Sequence, residues 1–428
     1  MKTKNKNVNL TVKNALCTGC GACARVCPVK AIEMIKNTAG FLVPDIRIET
    51  CTDCGLCIKI CAGINNVANS EYDLFKGKIL SCHTGYAVDE FIRKNSQSGG
   101  LVTAVLKFLL ESKEIDFAII NSFNSKNICN EPKIAATFQD LADGMGSFYC
   151  QSSNLAFIPK EDSSEEYAIV TLGCQSQSLM LMTDNVTGIK KPKYVIGLFC
   201  AGNHSTDYIK AIFNKIPGIN YKNGEISHFR FRDKAVGGWP GEISVKIQDK
   251  KYTANRKIRL SLKSAYKNFR CDLCYDQLNG FADIAVGDPW GVEGRCKEEI
   301  KSGCSVVITR TEKGKTLLEK AEKERYIQLN LLDEEELIKG QTIDSRLKPQ
   351  YFANISLCKE KGFMVPEPVI KTDTFSEISD PDPFLKLSRS IFLSEHPFKI
   401  KTLRELILLK TTYKRYKNAI LKRIKVKK

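Results

Sequence analysis

Eight cysteines near the start of the chain fall into two identical frames. Cys17, Cys20, Cys23 and Cys27 read C-x2-C-x2-C-x3-C, and Cys51, Cys54, Cys57 and Cys61 repeat that spacing 34 residues later. Three thiolates on one tight loop can reach three irons of a cubane, and the fourth comes from farther away. Where two [4Fe–4S] clusters share such runs, the last cysteine of each run serves the other cluster. Cys17, Cys20, Cys23 and Cys61 are therefore assigned to one cluster, and Cys51, Cys54, Cys57 and Cys27 to the other. The flanks repeat as well: Gly21 matches Gly55, and Arg25-Val26 matches Lys59-Ile60. Only the first run closes in Cys-Pro (Cys27-Pro28); the second closes in Cys61-Ala62. CxxC pairs also build structural zinc sites. Two full four-cysteine runs favour clusters over zinc.

Residues 1 to about 68 thus read as a bacterial-type two-cluster ferredoxin unit, with one short strand and one helix expected per run. The whole chain has 428 residues, enough for two or three domains with sizeable cores. Its 18 cysteines would suggest disulfides in a secreted protein. The segment Met1 to Asn14 has lysines but no apolar signal core, and no run of 18 apolar residues occurs. A reducing cytoplasm suits so many cluster thiolates. Net charge is +17, but residues 399–428 hold 12 Lys/Arg against one Glu, leaving +6 for the rest. The charge belongs to one segment and is no argument for nucleic-acid binding by the whole protein.

Beyond residue 78 the pattern changes. Strands are expected over Lys78–Tyr86, Ile115–Ile120, Tyr167–Leu172, Tyr194–Phe199, Ala282–Val286 and Ser305–Thr309. Leu101, Val102, Val105, Leu106, Leu109 and Leu110 recur at helical spacing, so 98–112 reads as a helix. Alternating strands and helices indicate an α/β layer structure. The reading divides the chain into a two-cluster unit (1–68), a mixed α/β domain (78–358), a Pro-, Asp- and Ser-rich linker (359–397) and a basic C-terminal helix (398–428).

A third cysteine set stands at informative places. Cys174 and Cys200 end two expected strands, and Cys271 and Cys274 form a CxxC on a loop. Strand ends of one α/β sheet lie along one edge. A loop folding over that edge completes four thiolates, enough for a third [4Fe–4S] cluster. The competing reading makes Cys174 and Cys200 small buried apolar residues.

From about Lys78 to Arg310 the chain resembles the beta-subunit family of coenzyme F420 hydrogenases and dehydrogenases. The resemblance rests on Tyr86–Gly100 (YAVDEFIRKNSQSGG), Ile115–Phe117, Cys174-Gln175, Gly197–Cys200, Cys271–Cys274, Asp283–Trp290 (DIAVGDPW) and Gly303–Thr311. It implies a bound flavin, usually FAD, and an iron–sulfur cluster in this domain, so it strengthens the case for Cys174, Cys200, Cys271 and Cys274. It also implies electron exchange between ferredoxin-type clusters and a two-electron partner. Two departures lie where flavin or substrate groups approach. Thr171-Leu172-Gly173 stands where the family has Gly-Thr-Pro, and Phe148–Ser152 lacks the family's lysine.

Ser96–Gly100 (SQSGG) precedes the helix expected near Leu101. Ser98 reads as its N-cap, and Gly99 and Gly100 let backbone N–H groups approach a ligand. A helix start of this kind suits a pyrophosphate, with Thr103 adding a hydroxyl. With the resemblance, Ser98, Gly99, Gly100, Thr103, Gln175 and Asp288 become the candidate flavin contacts. Asp288 follows a strand end, where crevices form. Flavin takes a hydride and releases single electrons, so it bridges clusters and a hydride substrate. Hydride transfer needs no acid–base residue, so His83, His204, His228 and His396 are left without a catalytic role. His204 reads as a surface-loop histidine.

The expected partners are a one-electron carrier or redox protein and a small two-electron substrate. One alternative is an electron-transfer subunit serving a separate catalytic chain. Another is a nucleic-acid-binding protein with structural clusters. Against the latter, the tail has only Tyr413 and Tyr416 as aromatics and no recognition motif. Leucines and isoleucines among the tail's bases would suit peripheral contact with an anionic membrane or an acidic partner. A solvated terminal helix is the competing reading.

Overall fold

The computed structural model describes residues 6–67, 71–221, 224–296, 299–368 and 380–426, with side chains as far as residue 413 in the last helix. In the N-terminal unit each cysteine run carries one short helix, Ala22–Val26 and Leu56–Lys59. The matched glycines do the same job in both. Gly21 and Gly55 precede these helices at left-handed φ of 84° and 78°, which glycine adopts without a Cβ penalty. Between the runs, β1 (Ile32–Lys36) and β2 (Leu42–Ile46) pair antiparallel as a hairpin.

The larger part is built on eight strands. These are β3 (Ser81–Ala87), β4 (Phe117–Asn124), β5 (Cys129–Ala135), β6 (Tyr167–Leu172), β7 (Tyr194–Leu198), β11 (Ile284–Gly287), β12 (Ser305–Thr309) and β13 (Ile327–Leu331). Between β7 and β11 a separate antiparallel sheet forms from β8 (Ile226–Asp233), β9 (Glu242–Ile247) and β10 (Lys250–Ala254). The large sheet runs β13-β3-β12-β11-β7-β6-β4-β5. Its centre, β4-β6-β7-β11, is parallel, and the flanking pairs are antiparallel. Central β12 is buried at every position, as expected of a strand covered on both faces. The Leu101–Glu111 and Glu312–Lys323 helices bury Val105, Leu109, Leu317 and Leu318 against Val286 and Val307 in one core. On the small sheet, Phe229, Phe231 and Val245 pack on Ile209 and Phe213 of the Asp207–Phe213 helix.

The α/β class is as expected from the sequence, with several local differences. β5, the small sheet and β13 were not foreseen. β8 alternates apolar residues with Arg230 and Arg232, and Arg232 is itself buried, so its pattern looks half-exposed. The stretch read as a linker carries the Leu385–Leu393 helix, whose Leu385, Ile391 and Phe392 join the core; residues 369–379 of that stretch lie outside the described residues. Cys296 and Cys304 form a disulfide. The final helix, Pro397–Val426, is docked by one face where its side chains are described, rather than solvated all round. Ile400 and Ile407 are buried, and Arg404 donates to the Ala39 carbonyl at 2.7 Å and lies over the Tyr266 ring at 4.2 Å. Phe398, Leu409 and Tyr413 remain exposed. Among the described residues no helix is long and apolar enough to cross a membrane.

Hydrogen bonds join the N-terminal unit to the larger part. Buried Arg270 donates Nε–H to the Gly63 carbonyl at 2.8 Å and Nη2–H to the Ala62 carbonyl at 2.9 Å. Asn268 donates to the Cys17 carbonyl at 2.9 Å, and Ser153 to the Gly19 carbonyl at 3.0 Å. A Cβ on Gly21 would stand 2.9 Å from the Ser153 carbonyl oxygen, so glycine also permits this close approach. The loops that carry the first cysteine run are therefore held by the sheet domain.

Candidate functional site

The parallel strands end together, and chemistry-bearing residues follow each end. Cys174 is the second residue of the Gly173–Asn185 helix, directly after β6. Cys200 follows β7 by one residue beyond Phe199, and Asp288 follows β11 at once. This is the carboxyl edge of a parallel sheet, where α/β folds form their crevices. Cys271 lies in a short 3-10 turn, Phe269–Leu273, and Cys274 caps its end, where the sequence suggested a loop.

These four sulfurs are mutual electrostatic neighbours. Burial pushes the Cys174 thiol well up, and Cys274, Cys271 and Cys200 add to the shift. Burial likewise raises Cys200 to about 11 and Cys271 to about 12, with neighbouring cysteines adding to each. The backbone N–H of Asn203 already donates to Cys271 Sγ at 3.3 Å. Four thiols gathered in one half-buried place resist ionisation alone. Iron supplies the positive charge that such a donor set calls for, so the residues fit a cubane.

The first eight cysteines fall into two neighbourhoods. Burial raises Cys61 to about 11, and Cys20 adds to it. Cys17 and Cys23, raised by burial first, each count Cys20 and Cys61 among their neighbours. Cys27, Cys51, Cys54 and Cys57 line one small cavity. Backbone N–H groups of Gly19 and Ala31 donate to Cys17 Sγ at 3.4 Å and Cys27 Sγ at 3.2 Å. Among the described residues no three His, Cys, Asp or Glu side chains meet closely enough for a single metal ion. The sets also have an order. Cys20 neighbours Cys174, whereas Cys54 is exposed, unlike the other eleven cysteines of the three sets.

Beside the edge thiols lies a cavity of about 290 Å³. Ser98, Gly100, Thr103, Gln175, Asp288 and Cys200 all line it; Gly99 does not. Gly99 packs inward instead. Its N–H donates to Ser305 Oγ at 2.9 Å, and a Cβ would stand 2.5 Å from the Gly85 carbonyl oxygen. The N-cap is Gly100, at φ 83°, not Ser98. Ser98 Oγ donates to Asp288, and the Trp239 indole donates to Ser98 Oγ at 3.3 Å. Asp288 is bound on its other oxygen by Arg232 at 2.5 Å. Arg232 lies 5.6 Å from the Trp290 ring and 5.9 Å from the Trp239 ring. Asp288 thus ties the SQSGG turn to the small sheet. Gln175 closes the start of its own helix: Leu172 N–H donates to Oε1 at 2.9 Å, and Nε2 donates to the Ser152 carbonyl at 3.0 Å.

Sequence reasoning missed several lining groups. His204 is buried, not a surface-loop residue. Its ring stacks on Tyr208 at 4.5 Å, and Nδ1–H donates to the Tyr149 carbonyl at 2.8 Å. Burial, with nearby cations, pulls its pKa down to about 3, so the ring is neutral. Arg259 and Lys263 line the same cavity. The polar atoms Ser96 Oγ, Gln97 Oε1 and Nε2, Asn121 Oδ1 and His204 Nε2 are buried without a partner, and all belong to lining residues. Native interiors rarely leave so many polar atoms unpaired, and a bound ligand is one answer. Apolar Leu101, Leu106, Val170 and Val286 complete the wall. A mixed lining of this kind suits a ring system with amide edges and a phosphate.

The deciding likeness is to a family. Two family models, the N-terminal and C-terminal parts of the coenzyme F420 hydrogenase/dehydrogenase beta subunit, match residues 82–159 and 164–335 respectively. The chain belongs to this family. Its residues 16–63 match a 4Fe-4S dicluster domain. Relatives of this family member include the coenzyme F420 hydrogenase subunit beta of Methanothermobacter thermautotrophicus, 24% identical over 65% of this chain and 95% of that one. The coenzyme F420 hydrogenase subunit beta of Methanococcus voltae is 26% identical over 57% of this chain and 81% of its own. The coenzyme F420-dependent sulfite reductase of Methanocaldococcus jannaschii is 26% identical over 76% of this chain but 49% of its own. A chain of the F420-reducing [NiFe] hydrogenase complex from Methanosarcina barkeri shares the fold at TM-score 0.50 and 20% identity, covering 70% of this chain and 99% of that one. The family member is thus an iron–sulfur oxidoreductase subunit.

Proposed function

We propose that this chain is an iron–sulfur flavoprotein that passes electrons between ferredoxin-type clusters and a two-electron hydride substrate. The observation that carries the reading is the shared edge: the cavity lined by Ser98, Gly100 and Thr103 has Cys200 in its wall. Cys174, Cys200, Cys271 and Cys274 would hold a third [4Fe–4S] cluster. FAD would fill the cavity, and the start of the Leu101–Glu111 helix is one place in it that suits a phosphate. When bound, a flavin supplies conversion between hydride and single-electron chemistry. The chain's own part is positional. Gly100 opens the helix start to a ligand, Asp288 and Arg232 anchor the turn, and apolar side chains exclude water.

The thiolate order supports a serial path from the Cys27/Cys51/Cys54/Cys57 set, through the Cys17/Cys20/Cys23/Cys61 set, to the sheet edge. The outside one-electron partner would meet residues 1–68 near exposed Cys54. Those residues hold nine Lys/Arg against four Asp/Glu, so an acidic carrier suits them. A reduced deazaflavin is the first substrate to test, because the names of the relatives concern coenzyme F420. Two of those names describe one subunit of a hydrogenase, which favours a second reading in which a separate chain completes the reaction. Anaerobic purification, flavin identification and a reduction screen test both. Reduced deazaflavin, nicotinamides and reduced ferredoxin are offered in turn to the single chain. Flavin bleaching by a hydride donor supports the first reading, bleaching by ferredoxin alone the second. A protein that takes up no FAD or FMN, even on reconstitution, overturns the flavin reading.

A further inference from the structure

One wall of the cavity carries charge that no carboxylate among the described residues balances. Arg259 and Lys263 stand four residues apart on the Lys257–Tyr266 helix, and both line the cavity. Side chains at i and i+4 are neighbours on a helix face, and like charges there repel. Carboxylates answer two cations nearby: Lys267 pairs with Asp272 at 2.5 Å and Arg404 with Asp207 at 3.8 Å. Among the described residues, neither Arg259 nor Lys263 forms an ion pair. Arg259 has the Tyr149 ring at 5.2 Å, but its Nε is buried without a hydrogen-bond partner.

His204 faces the same problem from the opposite side of chemistry. It is 3% exposed, and its Nδ1–H is committed to the Tyr149 carbonyl. The remaining Nε2 is therefore an acceptor, and it has no partner. Two unbalanced cations and one buried acceptor in a single wall describe a group with negative charge and an O–H or N–H close by.

We infer that Arg259, Lys263 and His204 form an anion subsite of this cavity, which takes a phosphate or carboxylate carried by the flavin or by the two-electron substrate. The inference rests on the flavoprotein reading above. The Arg259 fork suits two oxygens of one anion, and the Lys263 ammonium acts as a point charge. His204 accepts from a protonated phosphate oxygen or from a neighbouring hydroxyl or amide.

The test uses the full-length protein, prepared anaerobically and stripped of flavin. FAD, FMN and riboflavin are titrated into the native protein, Arg259→Gln, Lys263→Gln, the double variant and Lys263→Arg. Inorganic phosphate is then titrated into the FAD-loaded forms and followed by calorimetry. If a flavin phosphate occupies the subsite, FAD and FMN weaken by about tenfold or more per lost cation. Riboflavin, which has no phosphate, binds as before and reports intact folding. If the substrate's anion occupies it, flavin affinities hold, FAD-loaded native protein binds phosphate, and the Gln variants lose that binding. Lys263→Arg should keep whichever behaviour the native protein shows. Equal flavin affinities in all forms, together with no phosphate binding to the FAD-loaded native protein, overturn the subsite. Failure of the native protein to bind any flavin sinks the flavoprotein reading instead.

Discussion

The N-terminal thiolates and the sheet-edge thiolates are assembled in opposite ways. In the first region, Cys17, Cys20 and Cys23 share one turn and its helix, and Cys51, Cys54 and Cys57 share another. Their proximity follows from short spacing whatever the rest of the chain does. In the second, Cys174 and Cys200 stand after β6 and β7, which meet through a parallel register, and Cys271 and Cys274 arrive on a turn about seventy residues later. That set exists only if the sheet forms. A local cage can be read from its letters, and a distributed one depends on long-range packing.

The comparison breaks most sharply on iron. The native protein should hold about twelve irons, at four per cubane. Cys271→Ser or Cys274→Ser should lower the count to about eight and separate the flavin from the N-terminal clusters. Iron analysis checks the count. Rapid-mixing spectra, which follow flavin and cluster bleaching separately, check the separation. A Cys274 variant that keeps twelve irons, or that equilibrates at the native rate, ends the serial account.

Next in size is the joint between the regions. Arg270 is buried and bonds the Ala62, Gly63 and Leu273 carbonyls. Arg270→Ala should cost about 3 kcal/mol, the scale expected when buried acceptors lose a charged donor. Thermal unfolding measures it, and the N-terminal unit should loosen before the sheet domain does. Unchanged stability would mean that the two regions are joined by other contacts.

A smaller effect is expected at the turn beside the cavity. Gly99→Ala would push a Cβ to 2.5 Å from the Gly85 carbonyl oxygen and should destabilise by about 1–3 kcal/mol, with weakened flavin binding. Denaturant titration, alongside flavin release, checks this.

The smallest structural effect belongs to exposed Cys54. Cys54→Ser should damage or shift its own cluster but leave the sheet domain folded and the flavin reducible by a hydride donor. Exchange with an external one-electron carrier should slow, as read by stopped-flow mixing with reduced ferredoxin. If exchange is unchanged, the carrier meets the protein elsewhere.

Legibility followed the same division. The cysteine spacing, the helix after Gly100 and the apolar runs of β6, β7, β11 and β12 were all readable, because each is a pattern within a few residues. The small sheet was hidden because β8 buries Arg232, a residue type that usually signals exposure. The Leu385–Leu393 helix was hidden by its Pro- and Asp-rich approach.

At the cavity, residue type and neighbourhood were legible but roles were not. Ser98 looked like a cap, Gly99 like a ligand contact and His204 like a surface residue. Tertiary contacts turned Ser98 toward Asp288, packed Gly99 against Gly85 and Ser305, and buried His204 on Tyr208. Most of these contacts join strands or loops far apart in the chain, so they depend on sheet register and helix docking. Short-range spacing is set by bond lengths and turn geometry, and letters alone can fix it. Which buried atom faces a ligand and which faces another strand is decided only when the whole core closes.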